Sequence, residues 1–246
     1  MTKLIINNDP KSPVSEAYRS IRTNIQFSDV DSNIKTIVVT SSITGEGKST
    51  IISNIAVAMA QAGKKVLLID MDLRRSRIHK IFNIENTQGI TNLFVDYVFY
   101  KDIIRTTDIE NLSIITSGPI PPNPSELISS NKMKDFIEIM KESFDYILFD
   151  APPVNLVTDA ALLAAVCDGT ILVVASGDTH IKSAQHSRDN LERVGANIIG
   201  VILNKVPIDK NSYYKYHYYN YQLDEYNTKK GLFSKRKKKK KNKRKK

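Results

Sequence analysis

Six short runs along the chain are apolar at consecutive rather than alternate positions: Thr36–Thr40 (TIVVT), Val66–Ile69 (VLLI), Leu112–Thr116 (LSIIT), Tyr146–Phe149 (YILF), Thr170–Ala175 (TILVVA) and Ile198–Leu203 (IIGVIL). A strand with one wet face alternates, so runs that are apolar on both faces predict buried parallel strands covered by helices on each side. The intervening segments predict helices over Lys48–Gln61, Ser125–Lys141, Thr158–Val166 and Ile181–Val194. Several open on Ser, Thr or Asp caps, and the first and last are followed by Gly63 and Gly195. The pattern is an α/β fold: a mostly parallel twisted sheet with helices on both faces.

Residues 208–228 break the pattern, with seven tyrosines, many polar side chains and hardly an aliphatic. Such a segment cannot build a core and is expected to be a flexible tail. The expected organisation is therefore a domain over 1–207, a tyrosine-rich segment over 208–228 and a polybasic end over 229–246.

With 246 residues, 41% apolar and 25% charged, the chain has the composition of a globular protein. No window of about 18 residues is continuously apolar, and Met1–Pro10 lacks a basic-then-apolar leader pattern, so a cytoplasmic location is expected. The net charge of +10 suggests a nucleic-acid binder until it is located. Thirteen of the 36 basic residues follow Thr228, leaving 23 basic against 26 acidic groups in residues 1–228. The body is mildly acidic, which argues against a specific nucleic-acid partner, and the polybasic end suits an anionic membrane surface. Cys167, the single cysteine, cannot form an internal disulfide, and His79, His180, His186 and His217 show no metal-ligand spacing.

The chemistry begins between the first strand and the first helix, at Ser42-Ile43-Thr44-Gly45-Glu46-Gly47-Lys48-Ser49-Thr50. This is nearly a complete P-loop, and the P-loop NTPase fold class follows from its strand-before, helix-after context. Gly45 and Gly47 let backbone N–H groups turn inward, Lys48 would reach the β and γ phosphates of ATP, and Ser49 would sit on Mg²⁺. Thr44 to Thr50 form the candidate nucleotide cradle, with Ser42 standing where the pattern usually has its first glycine. Two further strands end in acid, at Asp70-Met71-Asp72-Leu73-Arg74 and at Asp150-Ala151-Pro152-Pro153. Ligands gather beyond the carboxyl ends of parallel strands, so Asp70, Asp72 and Asp150 should converge on the phosphates with Lys48. One or two would hold Mg²⁺, and another could accept a proton from an attacking hydroxyl.

Together, GEGKST, D-M-D-L-R and ILFDAPP resemble the bacterial tyrosine kinases of capsule and exopolysaccharide synthesis, in the form where the kinase is a separate cytoplasmic chain. Glu16-x-x-Arg19-x-x-Arg22 resembles that family's self-association motif, on a helix near 14–27, and Gly118–Ile128 is similar to its signature segment. The resemblance spans roughly residues 12–226 and leaves out only the polybasic end. It implies transfer of the γ-phosphoryl of ATP to protein tyrosines, first in trans to the chain's own Tyr213, Tyr214, Tyr216, Tyr218, Tyr219, Tyr221 and Tyr226, with a role in polysaccharide synthesis and chain length. It also implies Ser49, Asp72 and Asp150 around Mg²⁺, Asp70 as proton acceptor, and Asn204 at the adenine. A closed ring of subunits through Glu16, Arg19 and Arg22 is implied as well, with a transmembrane co-polymerase-type activator and a place at the inner face of the cell membrane. From spacing alone the Glu16, Arg19, Arg22 triplet is equally a solvated helix face.

The nearest rival is a non-kinase ATPase of the partitioning and septum-positioning kind. Those proteins carry a signature lysine five residues before the P-loop lysine, where this chain has Ile43.

Overall fold

A computed structural model describes residues 4–28, 33–95, 98–207. The chain opens on two helices, α1 (Ile5–Asn8) and α2 (Pro13–Ser28), before the first strand, β1 (Thr36–Ser41). There follow α3 (Lys48–Gln61), β2 (Val66–Asp70), α4 (Ile78–Phe82), α5 (Ile90–Val95), α6 (Tyr100–Ile103), β3 (Arg105–Thr106) and β4 (Leu112–Ile115). The second half runs α7 (Pro124–Ser129), α8 (Asn131–Ser143), β5 (Tyr146–Asp150), α9 (Asp159–Ala164), β6 (Gly169–Ala175), α10 (Ile181–Arg193) and β7 (Ile198–Asn204).

The strands form one sheet in the order β3-β4-β2-β5-β1-β6-β7, and every pairing is parallel except that of β3 with β4. Because side chains alternate across a strand, its apolar residues divide between two cores. Ile37, Val39, Val66, Leu68 and Leu148 face α1–α4, whereas Val38, Leu67, Ile69, Ile147 and Phe149 face α5 and α7–α10. This double burial is why the strands read as continuous apolar runs. The helix α3 is buried along most of its length, from Lys48 to Ala60 with only Thr50 part-exposed. It lies between the sheet and α2, whose Tyr18 and Ile25 pack on it in the same core.

The six apolar runs are six of the seven strands. The helix expected over Ser125–Lys141 is two helices instead. Ser130 adopts an extended backbone (φ −70°, ψ 152°), ends α7, and accepts the Met133 N–H on its side chain to cap α8. Gly63 and Gly195 take left-handed φ after α3 and α10, as their positions suggested. The described residues up to Val206 form one unit. The tyrosine-rich and polybasic segments, 208–228 and 229–246, lie outside the described residues.

Candidate active site

The strand order sets the site. β1 and β2 flank β5 and their carboxyl ends point the same way, so the loop after β1, Asp70 and Asp150 are brought together. In register, Asp70 is the direct partner of Asp150. Lys48, at the first position of α3, places Nζ 2.8 Å from Asp72 Oδ2, 3.3 Å from Asp150 Oδ1 and 3.4 Å from Ser49 Oγ. Beside this cluster is a cavity of ≈ 560 Å³. It is lined by the P-loop residues Thr44, Gly45, Gly47, Lys48, Ser49 and Thr50 and by Asp72, Arg75, Arg77 and Lys80.

The P-loop gets its shape from two residues in the left-handed region, Gly45 (φ +86°) and Gly47 (φ +95°). Ser42 is not among the positive-φ residues, so the serine needs no unusual backbone where the pattern has its first glycine. Glu46 points away from the cavity and braces the loop. Its carboxylate accepts the Ile43 N–H at 2.8 Å and the Thr179 hydroxyl, and its carbonyl accepts Asn204 Nδ2 at 2.7 Å. A Cβ at Gly47 would stand 2.4 Å from that same Asn204 Nδ2. In the structure Asn204 therefore clamps the loop from the end of β7, a contact across 158 residues that no local pattern reveals.

Burial alone would lower the pKa of Lys48, but the Asp150 and Asp72 carboxylates outweigh it and hold the ammonium above its usual value. Burial raises Asp150, against the pull of Lys48. Asp70 is wholly buried and is pushed up to about 7 by burial and then by the Asp150 charge, against the N–H bond it receives from Ile78. Its Oδ2 accepts the N–H groups of Arg77 (3.0 Å) and Ile78 (2.9 Å), so it also anchors the start of α4. Asp70 Oδ1 and Asp150 Oδ2 are buried without a hydrogen-bond partner. Of the acidic pair, Asp72 lines the cavity and Asp70 lies beneath the loop that Asp72 begins.

Two features of the site carry little local signal in the sequence. Asp159, wholly buried, accepts Arg74 Nε at 3.0 Å and Ser125 Oγ at 2.7 Å, joining the D-M-D-L-R loop to the signature segment. Its only sequence signal was its place at a helix start. The basic run Arg75, Arg77, Lys80 is plain in the sequence, but only the fold brings it to the cavity. Elsewhere, Glu16 pairs with Arg19 at 2.9 Å, Arg19 also donates to the Pro10 carbonyl, and Arg22 reaches the Ala58 carbonyl of α3 at 3.4 Å. The predicted phosphorylation sites, Tyr213 to Tyr226, lie outside the described residues.

An AAA domain model matches residues 34–194, the span from just before β1 to the end of α10. The putative tyrosine-protein kinase CapB of Staphylococcus aureus is 41% identical over 218 residues, covering 89% of this chain and 96% of that one. The tyrosine-protein kinase YwqD of Bacillus subtilis strain 168 is 42% identical over 214 residues, 87% of this chain and 90% of its own. The crystal structure of the chimerical protein CapA2B2 superposes with a TM-score of 0.81 at 43% identity, covering 83% of this chain and 90% of that one. With the P-loop, both acidic strand ends and this likeness over nearly the whole length, the chain belongs to the bacterial tyrosine kinases of capsule and exopolysaccharide synthesis.

Proposed function

We propose that this protein-tyrosine kinase uses Mg-ATP to phosphorylate its own C-terminal tyrosine cluster, Tyr213 to Tyr226, in trans within a ring of subunits, and so regulates the synthesis and chain length of a capsular or extracellular polysaccharide. The observation that carries the reading is the placement of Lys48 Nζ between the Asp72 and Asp150 carboxylates beside the P-loop cavity. A lysine held by two acids is a cation stored where phosphate charge arrives, and the acids are then free for a metal.

The residues fit Mg²⁺. Ser49, Asp72 and Asp150 offer only oxygen donors, one of them, Asp150 Oδ2, buried and unpartnered. Among the described residues no set of three or more His, Cys, Asp and Glu side chains forms a metal cage. That is compatible with Mg²⁺, which keeps several waters and takes one or two carboxylates plus substrate phosphates. When bound, the ion would neutralise charge on the phosphates.

In the transfer, a tyrosine oxygen bonds to the γ-phosphorus, the bond from that phosphorus to the bridging oxygen of ADP breaks, and the tyrosine proton leaves to a carboxylate. Tyrosine, with a pKa near 10, needs such an acceptor at neutral pH. The Asp70–Asp72 pair supports this role: Asp72 has the access and Asp70 the proton affinity. Lys48 and the inward N–H groups of the loop stabilise charge on the transferring group. Asn204 is proposed to contact adenine as well as the loop.

The partner is proposed to be a transmembrane co-polymerase-type protein whose cytoplasmic segment activates the kinase, in keeping with a chimera named for CapA and CapB segments among its structural relatives. No helix among the described residues is long and apolar enough to cross a membrane.

The test is incubation of the purified chain with Mg-ATP, with and without such an activator segment, followed by mass spectrometry of the tail. Phosphotyrosine is expected in the chain as it stands and not in Lys48→Met, whose fold should persist. Phosphotyrosine at normal levels in Lys48→Met would overturn the site, and none in either would overturn the autokinase reading.

A further inference from the structure

The cavity has a wall that phosphoryl transfer does not account for. Lys48, the backbone of Gly45 and Gly47 and the start of α3 already line the cavity with what a phosphate site needs. The same cavity is lined by Arg75, Arg77 and Lys80, all exposed, and none forms an ion pair with another described residue. They differ from Arg74, whose guanidinium is committed to Asp159. The wall is also fixed to the chemistry. The Arg75 N–H donates to Asp72 Oδ1 at 3.0 Å and the Arg77 N–H to Asp70 Oδ2 at 3.0 Å, so the backbone of two cationic residues is pinned by the acidic pair itself.

An unpaired cationic wall beside a transfer site favours an acidic substrate, and the sequence supplies one. In residues 208–246 the acids are Asp209, Asp224 and Glu225. Asp209 is followed at once by Lys210, and the tyrosines from 213 to 219 are interleaved with Lys215 and His217. Asp224 and Glu225 are adjacent and lead directly into Tyr226. Neighbouring Cα atoms are about 3.8 Å apart, so a tyrosine whose hydroxyl enters the cavity holds the two preceding residues at its rim.

Building on the autokinase reading, we propose that Arg75, Arg77 and Lys80 dock the Asp224-Glu225 pair of the C-terminal segment and make Tyr226 the first tyrosine of the cluster to be phosphorylated. The wall thus sets the order of modification within a run of seven chemically equal hydroxyls. Its contribution is to selectivity, since exposed charge pairs are weak one at a time and screened by salt.

The experiment is a quenched time course of the full chain with Mg-ATP, and with the activator segment where it is needed, quantifying each phosphorylated tyrosine by mass spectrometry beside the affinity for a fluorescent ATP analogue. Tyr226 should lead Tyr213 and Tyr214 severalfold. Arg75→Gln, Arg77→Gln and Lys80→Gln should each slow Tyr226 by about twofold to fivefold more than Tyr213, and the unaltered chain should lose the preference for Tyr226 at about 0.5 M salt. Asp224→Lys with Glu225→Lys should abolish the lead of Tyr226, and Arg77→Glu should restore part of it. An order of modification that ignores the wall would overturn the proposal while leaving the kinase reading intact. Equal slowing of all tyrosines with weakened analogue binding would assign the wall to the nucleotide and overturn it as well. Absence of phosphotyrosine in the unaltered chain would remove the reading on which it rests.

Discussion

Asp70 and Asp150 face each other as register partners on adjacent parallel strands, both wholly buried and each with one carboxylate oxygen lacking a hydrogen-bond partner. Two acids so placed resist ionising together, and Lys48 relieves only part of the conflict because its contacts go to Asp150 and Asp72. The site is thus built with unfavourable negative charge that a bound cation would relieve.

This conflict gives the nucleotide-free chain a definite pH dependence. Asp70 sits at about 7 in the folded chain, against about 4 for an ordinary aspartate. Below pH 4 it is protonated in both folded and unfolded chains. As pH rises towards and through 7, ionisation favours the unfolded chain, so Asp70 withdraws stability across that window. Asparagine can still accept the Arg77 and Ile78 N–H groups but cannot ionise. In EDTA and without nucleotide, Asp70→Asn should lose less Tm than the unaltered chain between pH 5 and pH 8. Parallel Tm curves for the two would sink the assignment.

The same substitution separates the roles of the acidic pair. Asp70→Asn should lower phosphotyrosine formation far more than ATP affinity, by about two orders of magnitude for a lost proton acceptor. Asp72→Asn, which removes a cavity-lining carboxylate and the Lys48 contact, should weaken Mg-ATP binding as well. A parallel collapse of ATP affinity in Asp70→Asn would make Asp70 a metal-site residue instead. Both follow from initial rates and calorimetric titration.

Much of this was legible from the chain because both causes are local. Buried parallel strands must be apolar on both faces, and a P-loop must carry glycines, lysine and serine in a fixed order. What escaped had non-local causes. Arg105–Thr106 is two exposed residues and is a strand only because β4 lies beside it. Apolar spacing runs on across Ser130, where a cap bond splits the expected helix. The bond from Asn204 Nδ2 to the Glu46 carbonyl, across 158 residues, has no signal in the local sequence, where the resemblance implies only an adenine contact for Asn204.

That clamp makes the two P-loop glycines unequal. Alanine at Gly45 meets nothing within 4 Å and suffers only the left-handed backbone, a cost of about 1–2 kcal/mol. Alanine at Gly47 suffers the same strain and also displaces Asn204 Nδ2 from 2.4 Å. Gly47→Ala should therefore weaken nucleotide binding more than Gly45→Ala, with Asn204→Ala restoring part of the difference when combined with Gly47→Ala. Equal affinities for the two alanine variants would show that the clamp yields freely.

Glu16, Arg19 and Arg22 are all engaged within the chain, Arg19 with Glu16 and Pro10, Arg22 with α3. If they also form the ring contact, Glu16→Ala, Arg19→Ala and Arg22→Ala together should give monomers by sedimentation and cut phosphorylation in trans. The variant also loses the Glu16–Arg19 pair and the bonds from Arg19 to Pro10 and from Arg22 to Ala58, partly exposed contacts worth about 1 kcal/mol or less each, so Tm should fall modestly without unfolding the chain. An unchanged sedimentation profile would return the triplet to a solvated face that ties α2 to its surroundings.

The polybasic end offers the last prediction. Thirteen basic residues follow Thr228, with Leu232 and Phe233 among them, and each Lys or Arg near an anionic leaflet contributes about 1 kcal/mol. The seven tyrosines lie directly upstream, and each phosphate adds about −1.5 to −2 charges. Four or five modified tyrosines would bring roughly −6 to −10, enough to offset about half to three-quarters of the tail's charge. Autophosphorylation should then loosen the contact, an electrostatic switch that couples kinase activity to membrane residence. In flotation with vesicles containing anionic lipid, the unphosphorylated chain should co-float at low salt, a chain ending at Thr228 should stay behind, and the phosphorylated chain should bind more weakly. Equal flotation of the phosphorylated and unphosphorylated chains would leave the tail as an anchor and rule out the switch, because the added negative charge would then have no effect on the contact it is placed to oppose.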